Sequence, residues 1–167
     1  KLLVETGAYL NKTTSEDKYP VHYAIGGGKH EVIDYILKQS KQNYYLKDEY
    51  GNTLLHHATR TTNVMLIDLL LNQSLNPNAL DDQFETPIFN AVRYGSIDTI
   101  RLLLASDAYL DIKNRRYESP VDTALIYDKK DILDYLSDYM MSPKYERLKE
   151  KPAVSIAVLN RDRRIVC

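Results

Sequence analysis

Four histidines, a Gly26-Gly27-Gly28-Lys29-His30 run, two acidic pairs and one cysteine are the residues of this 167-residue chain that could do chemistry. His22, His30, His56 and His57 would suit a metal ion if they met Cys or carboxylate ligands, but no Cys/His set has zinc spacing. The glycine run resembles a phosphate loop only faintly, because it follows a helical stretch and lacks both the leading glycine and a Ser or Thr after Lys29. Asp81-Asp82 and Asp128 with Asp131 read as solvated turn carboxylates, since no base or nucleophile accompanies them. Cys167 has no oriented partner for nucleophilic work, and one thiol makes no internal disulfide, which fits a reducing compartment. No catalytic residue, metal or cofactor is assigned, and the chain is not read as an enzyme.

Composition narrows the class further. With 44% hydrophobic and 27% charged residues the chain suits one soluble domain with a continuous core. Twenty-two basic against 23 acidic residues give a net charge of −1, which argues against nucleic acid as partner. The longest apolar runs, around Leu69–Leu71 and Leu102–Leu104, fall far short of the roughly 20 residues that cross a bilayer, so no membrane span is expected. The first residues have no apolar signal-peptide core. Asn11-Lys12-Thr13 matches the glycosylation pattern, and a chance match explains it.

What organises these residues is a repeat. Tyr19-Pro20-Val21-His22-Tyr23-Ala24, Thr53-Leu54-Leu55-His56-His57-Ala58, Thr86-Pro87-Ile88-Phe89-Asn90-Ala91 and Ser119-Pro120-Val121-Asp122-Thr123-Ala124 align, with starts 34, 33 and 33 residues apart. Turn sequences such as Asp48-Glu49-Tyr50-Gly51-Asn52 precede them, and apolar stretches such as Ile100-Arg101-Leu102-Leu103-Leu104 follow. Thr53, Thr86 and Ser119 are placed to cap a helix start, where a following proline wastes no amide hydrogen. Small Ala24, Ala58, Ala91 and Ala124 allow neighbouring helices to approach closely.

These units resemble ankyrin repeats over about residues 1–141. The resemblance implies an all-α solenoid of stacked helix-turn-helix pairs with β-turn tips. It places His22 and His56 where an imidazole bonds adjacent turns, a link that Phe89 and Asp122 put in doubt for the last two units. His57 and His30 fall on solvent-facing helices. Gly28 and Gly95 occupy the inter-helix turn; Thr62 and Asp128 stand there instead in the other units, so that repeat two is expected to bend or lengthen its loop, or to carry roughly 1–2 kcal/mol of strain. The expected division is a half repeat at 1–11, repeats at 12–45, 46–78, 79–111 and 112–141, the last capping the array, and a basic non-repeat segment at 142–167.

The family's turn tips and first-helix surfaces line a concave groove, which implies Tyr50, Arg60, Arg93, Tyr94, Arg116 and Tyr127 as partner-binding residues, types that often carry interface energy. The expected function is a monomeric, cytoplasmic scaffold for a protein partner. A composition rich in Tyr, Lys, Asp, Ile and Asn, without Trp, suits an AT-rich genome and hence a pathogen effector in a host cell. The alternative is the recognition arm of a multidomain enzyme. The natural protein is expected to continue upstream of the half repeat, because an open repeat leaves its apolar face wet. The apolar run Ala153–Leu159 is expected to dock on the array or to begin a further domain.

Overall fold

Short amphipathic helices, several opened by a capping side chain (Thr53, Asn63, Ser96 and Ser119) and the first of each pair followed by a left-handed residue, fold into pairs that lean on the next pair. The computed structural model describes residues 18–39 and 44–150, with side chains to 147. The first helices of the four units are α1 (Pro20–Gly26), α3 (Leu54–Thr61), α5 (Pro87–Tyr94) and α7 (Pro120–Ile126); the second helices are α2 (His30–Gln39), α4 (Val64–Asn72), α6 (Ile97–Ala105) and α8 (Lys130–Met140). A last helix, α9, spans Pro143–Glu150. First helices pack on first helices (α1 on α3, α3 on α5, α5 on α7), each also on its own second helix, and α4 packs on α6. Among the described residues there is no strand, only an isolated bridge between Lys47 and Thr53 across a turn. The result is the all-α solenoid that the repeat implied.

A continuous core runs through the stack. Val21, Ile25, Leu54, Leu55, Ile88, Phe89 and Val92 on the first helices meet Ile33, Leu37, Ile67, Leu70, Ile100 and Leu103 on the second, all essentially solvent-free. No unit could bury this surface alone, so stability is shared between neighbours.

The turn chemistry is periodic even where the residues are not. Gly28, Thr62, Gly95 and Asp128 all close a first helix with positive φ, at +63°, +54°, +80° and +50°. Thr62 therefore keeps the glycine geometry, and the loop Thr62–Asn63 is no longer than Gly95–Ser96. The bend or lengthening expected in repeat two does not occur; the β-branched side chain is strained instead, and Asn63 caps α4 by accepting from the Leu66 amide at 3.1 Å. Gly51, Phe84 and Tyr117 share a second left-handed position at the turn tips, as Ser74 and Asp107 share a third after the second helices. At Gly51 a Cβ would lie 3.0 Å from an Asp82 carboxylate oxygen and 3.1 Å from its amide nitrogen, so the next turn packs directly on this glycine.

Ser142-Pro143 ends α8, but it also starts α9, since proline is pre-shaped for a first helical position. This helix lies against α8, with the Tyr139 and Tyr145 rings edge to face at 6.0 Å and Lys144 Nζ donating to the Leu104 carbonyl at 2.9 Å. The half repeat 1–11 and the apolar run 153–159 lie outside the described residues.

Candidate functional site

The turns that position the groove are built alike. In repeat two, Asp48 Oδ1 accepts from the Tyr50 and Asn52 amides at 3.0 and 2.8 Å; in repeat three, Asp81 Oδ1 accepts from Gln83 and Glu85 at 2.8 and 2.9 Å. Successive turns then join through the backbone, the Asp82 amide donating to the Tyr50 carbonyl and the Arg115 amide to the Gln83 carbonyl, both at 2.9 Å. Asp81 is buried and desolvation raises its pKa, which corrects the reading of Asp81 as a solvated carboxylate; Asp82 stays partly exposed. Burial pulls Asp48 upward, but the hydrogen bonds from Asn52, the neighbouring His57 and the Tyr50 amide together outweigh it and hold the carboxyl below its ordinary value.

The histidines are structural in two different ways. The Thr53 amide donates to His56 Nδ1 at 3.1 Å, so that Nε2 carries the hydrogen and donates to the Glu85 carbonyl of the next repeat at 3.1 Å. His22 keeps only the first half: the Tyr19 amide donates to Nδ1 at 3.1 Å, while its buried Nε2 makes no well-formed hydrogen bond. Desolvation brings both rings down to about 4, helped by the neighbouring His57. His57 does not stand on a solvent face. It is largely buried, bonds Asp48 Oδ2 through Nε2 at 2.9 Å and lies 4.7 Å from the His22 ring, and desolvation lowers its pKa as well. His30 is exposed, its Nε2 2.8 Å from Asn63 Nδ2. In repeats three and four the imidazole is replaced. Phe89 is fully buried and leaves the Thr86 hydroxyl without a hydrogen-bond partner, so Thr86 does not cap its helix through its side chain. Asp122 accepts from both the Ser119 amide and hydroxyl at 2.7 Å, closing its own turn, and these bonds lower its pKa.

The six groove residues fall along one face in two rows. Tyr50, with Arg116 two repeats further on, stands at a turn tip, and both are exposed; Arg116 Nε bonds Glu118 at 3.1 Å. Arg60, Arg93, Tyr94 and Tyr127 lie at the ends of the first helices. There each arginine leans over the tyrosine of the following repeat, Arg60 over Tyr94 at 5.9 Å and Arg93 over Tyr127 at 5.6 Å. The two arginines are not equivalent. Arg93 is half-buried and gives Nη2 to both Glu85 carboxylate oxygens, at 2.8 and 3.0 Å, and Nη1 to Asn90 at 3.0 Å, whereas Arg60 is exposed and has no ion pair among the described residues. Between repeats one and two the groove deepens into a recess of about 640 Å³ bounded by Lys18, Tyr23, Tyr50, His57 and Arg60.

The sequence places Glu85 among the groove-lining turn positions of repeat three but gives it no role in linking repeats. Its carbonyl accepts from His56 in repeat two, its carboxylate from Arg93 in its own repeat and from Asn114 Nδ2 in repeat four at 3.1 Å. The available signal was its place directly before the cap, where Asn52 and Glu118 also put a polar side chain. Among the described residues no helix is long and apolar enough to cross a membrane.

Comparison with known proteins returns the same repeat. The family model described as ankyrin repeats (3 copies) matches residues 1–81, and that described as ankyrin repeats (many copies) matches residues 62–104. A putative ankyrin repeat protein of fowlpox virus is 31% identical over 103 residues, covering 61% of this chain and 70% of that protein. A second putative ankyrin repeat protein of the same virus is 27% identical over 152 residues, 87% of this chain and 45% of that protein. A Caenorhabditis elegans homologue of transient receptor potential cation channel subfamily A member 1 is 26% identical over 135 residues, 81% of this chain but 11% of that protein. The chain thus spans less than half the length of these last two relatives.

Proposed function

Because the chain belongs to the ankyrin-repeat family, whose arrays generally mediate contacts between proteins, we propose that it is a monomeric scaffold that binds a protein partner with its turn tips and first helices. Tyr50, Arg60, Tyr94 and Tyr127 form the centre of that surface, with Arg116 at one edge. Arg93 contributes by holding Tyr127 and the Glu85 turn. The observation that carries this reading is the Arg60–Tyr94 stack, an exposed cation held over an exposed ring, with no ion pair to the arginine among the described residues. Such a pair offers large contact area and directed hydrogen bonds at little further ordering cost. Two relatives are poxvirus proteins, which supports action in the cytoplasm of an infected host cell.

The test is capture of the partner from host-cell lysate followed by titration of the purified pair. Replacing Arg60→Ala and Tyr94→Ala together should weaken binding by more than about 1 kcal/mol while the helical circular dichroism is unchanged. Undiminished affinity in a folded double variant would remove the groove from the account.

A further inference from the structure

The fourth turn has the shape of the second and third with the opposite charge. Asn114 Oδ1 accepts from the Arg116 and Glu118 amides at 2.9 and 3.0 Å, the same two bonds that Asp48 and Asp81 make, without a carboxylate. Residues 80–86 of repeat three carry Asp81, Asp82 and Glu85 and no cation; the equivalent residues 113–119 carry Lys113, Arg115 and Arg116 against Glu118 alone. Turn geometry does not require this reversal, because Asn and Asp serve an Asx turn equally. Arg115 is partly engaged, its Nε donating to the Asp82 carbonyl at 2.6 Å and its guanidinium lying 4.8 Å over Phe84. Arg116 is shared with Glu118, and Lys113 is exposed.

The first helix that follows this turn, α7, presents apolar side chains where repeats two and three bury theirs or carry arginine. Ile25, Thr59 and Val92 are each 0% exposed under the following repeat, while Leu125, their equivalent, is 64% exposed. Ile126 stands where repeats two and three have Arg60 and Arg93, and is 58% exposed; Tyr127 and, at the tip, Tyr117 add two exposed rings. α9 packs on α8. Asp122 is the carboxylate on α7; it is bound to the Ser119 cap and also interacts with Lys113, which helps to lower its pKa.

We infer that the end of the fourth repeat, Leu125, Ile126 and Tyr117 rimmed by Lys113 and Arg116, docks an acidic segment of a protein partner that carries aliphatic or aromatic anchors. This rests on the groove reading and names the chemistry of the partner at one end of it. Exposed apolar patches rimmed by polar groups mark interaction sites, and the charge of the rim selects which partner approaches. Charge also argues against this chain's own residues 151–167 as the occupant, since they carry Lys151, Arg161, Arg163 and Arg164 against Asp162 alone.

The experiment is selection of a phage-displayed library of random dodecapeptides on the full chain, with the enriched peptides titrated by fluorescence anisotropy. Enriched sequences should be acidic with at least two large apolar residues. Their affinity should fall at least tenfold on Lys113→Glu/Arg116→Glu and on Leu125→Ser/Ile126→Ser, both of which alter exposed side chains and should leave the melting temperature within a few degrees. Neutral or basic enriched sequences, the absence of any enrichment, or acidic peptides indifferent to both variants overturn the inference. If those peptides instead lose affinity on Arg60→Ala/Tyr94→Ala, the groove stands and this end of it does not. A concentration-dependent dimer abolished by Leu125→Ser would give the face to a second copy and likewise overturn it.

Discussion

The contact between repeats two and three and that between repeats three and four solve one problem with different chemistry. At the first, a neutral imidazole crosses the boundary: His56 Nε2 donates to the Glu85 carbonyl, and Asn90 Nδ2 returns a bond to the His56 carbonyl at 3.3 Å. At the second, Phe89 occupies the imidazole's place as an apolar plug, and the polar link moves to the Glu85 carboxylate, which ties Arg93 to Asn114. The backbone bond between turn tips is the same 2.9 Å at both. Register is therefore carried by the main chain and the core, and the side-chain link is free to vary. The difference teaches where each boundary is vulnerable: the histidine boundary to acid, the carboxylate boundary to loss of one charge.

The largest expected effect sharpens the second half of that comparison. Glu85→Ala strands the half-buried Arg93 and unties Asn114, and breaking a buried pair costs about 3–5 kcal/mol. Urea unfolding at neutral pH, followed by circular dichroism, should show that loss together with a broadened transition as the fourth repeat uncouples. A cost under about 1 kcal/mol would mean that Phe89 and the backbone hold this boundary alone.

A somewhat smaller effect tests the first half. His56 falls from 6.5 to about 4 on folding, so the unfolded chain binds more protons between those values. Its stabilisation is complete above about pH 6.5 and is lost as the solution is acidified towards pH 4, by roughly 3 kcal/mol in all. His22, also lowered to about 4, acts in the same direction. His56→Phe, which copies repeat three, should flatten this dependence in denaturant melts at pH 7 and pH 5, at the expense of the Glu85 bond. An unchanged slope would show that His56 is not the group that titrates.

The sequence made the solenoid legible because its period rests on residues with one steric role each: the cap hydroxyl, the N1 proline and the small alanine. The exposed positions of Tyr50, Arg60, Tyr94 and Tyr127 were legible for the same reason, whereas the leaning of each arginine over the next repeat's tyrosine, and the engagement of Arg93 by Glu85, were not. Nor was the linking role of Glu85, since that role exists only when three repeats are stacked, and nothing local separates Glu85 from Glu118. His57 was misplaced because its partner, Asp48, belongs to the preceding turn. The left-handed positions at Ser74, Phe84, Asp107 and Tyr117 were hidden because packing between repeats imposes a backbone that their side chains do not advertise.

The claim that the turn tips and first helices form the binding face is tested most directly by amide NMR of the full chain with and without its captured partner. Shifts and broadening should concentrate at Tyr50, Arg60, Tyr94 and Tyr127 and leave the outer surface of α2, α4 and α6 unchanged. Changes confined to that outer surface, around Glu31, Met65 and Arg101, would contradict it.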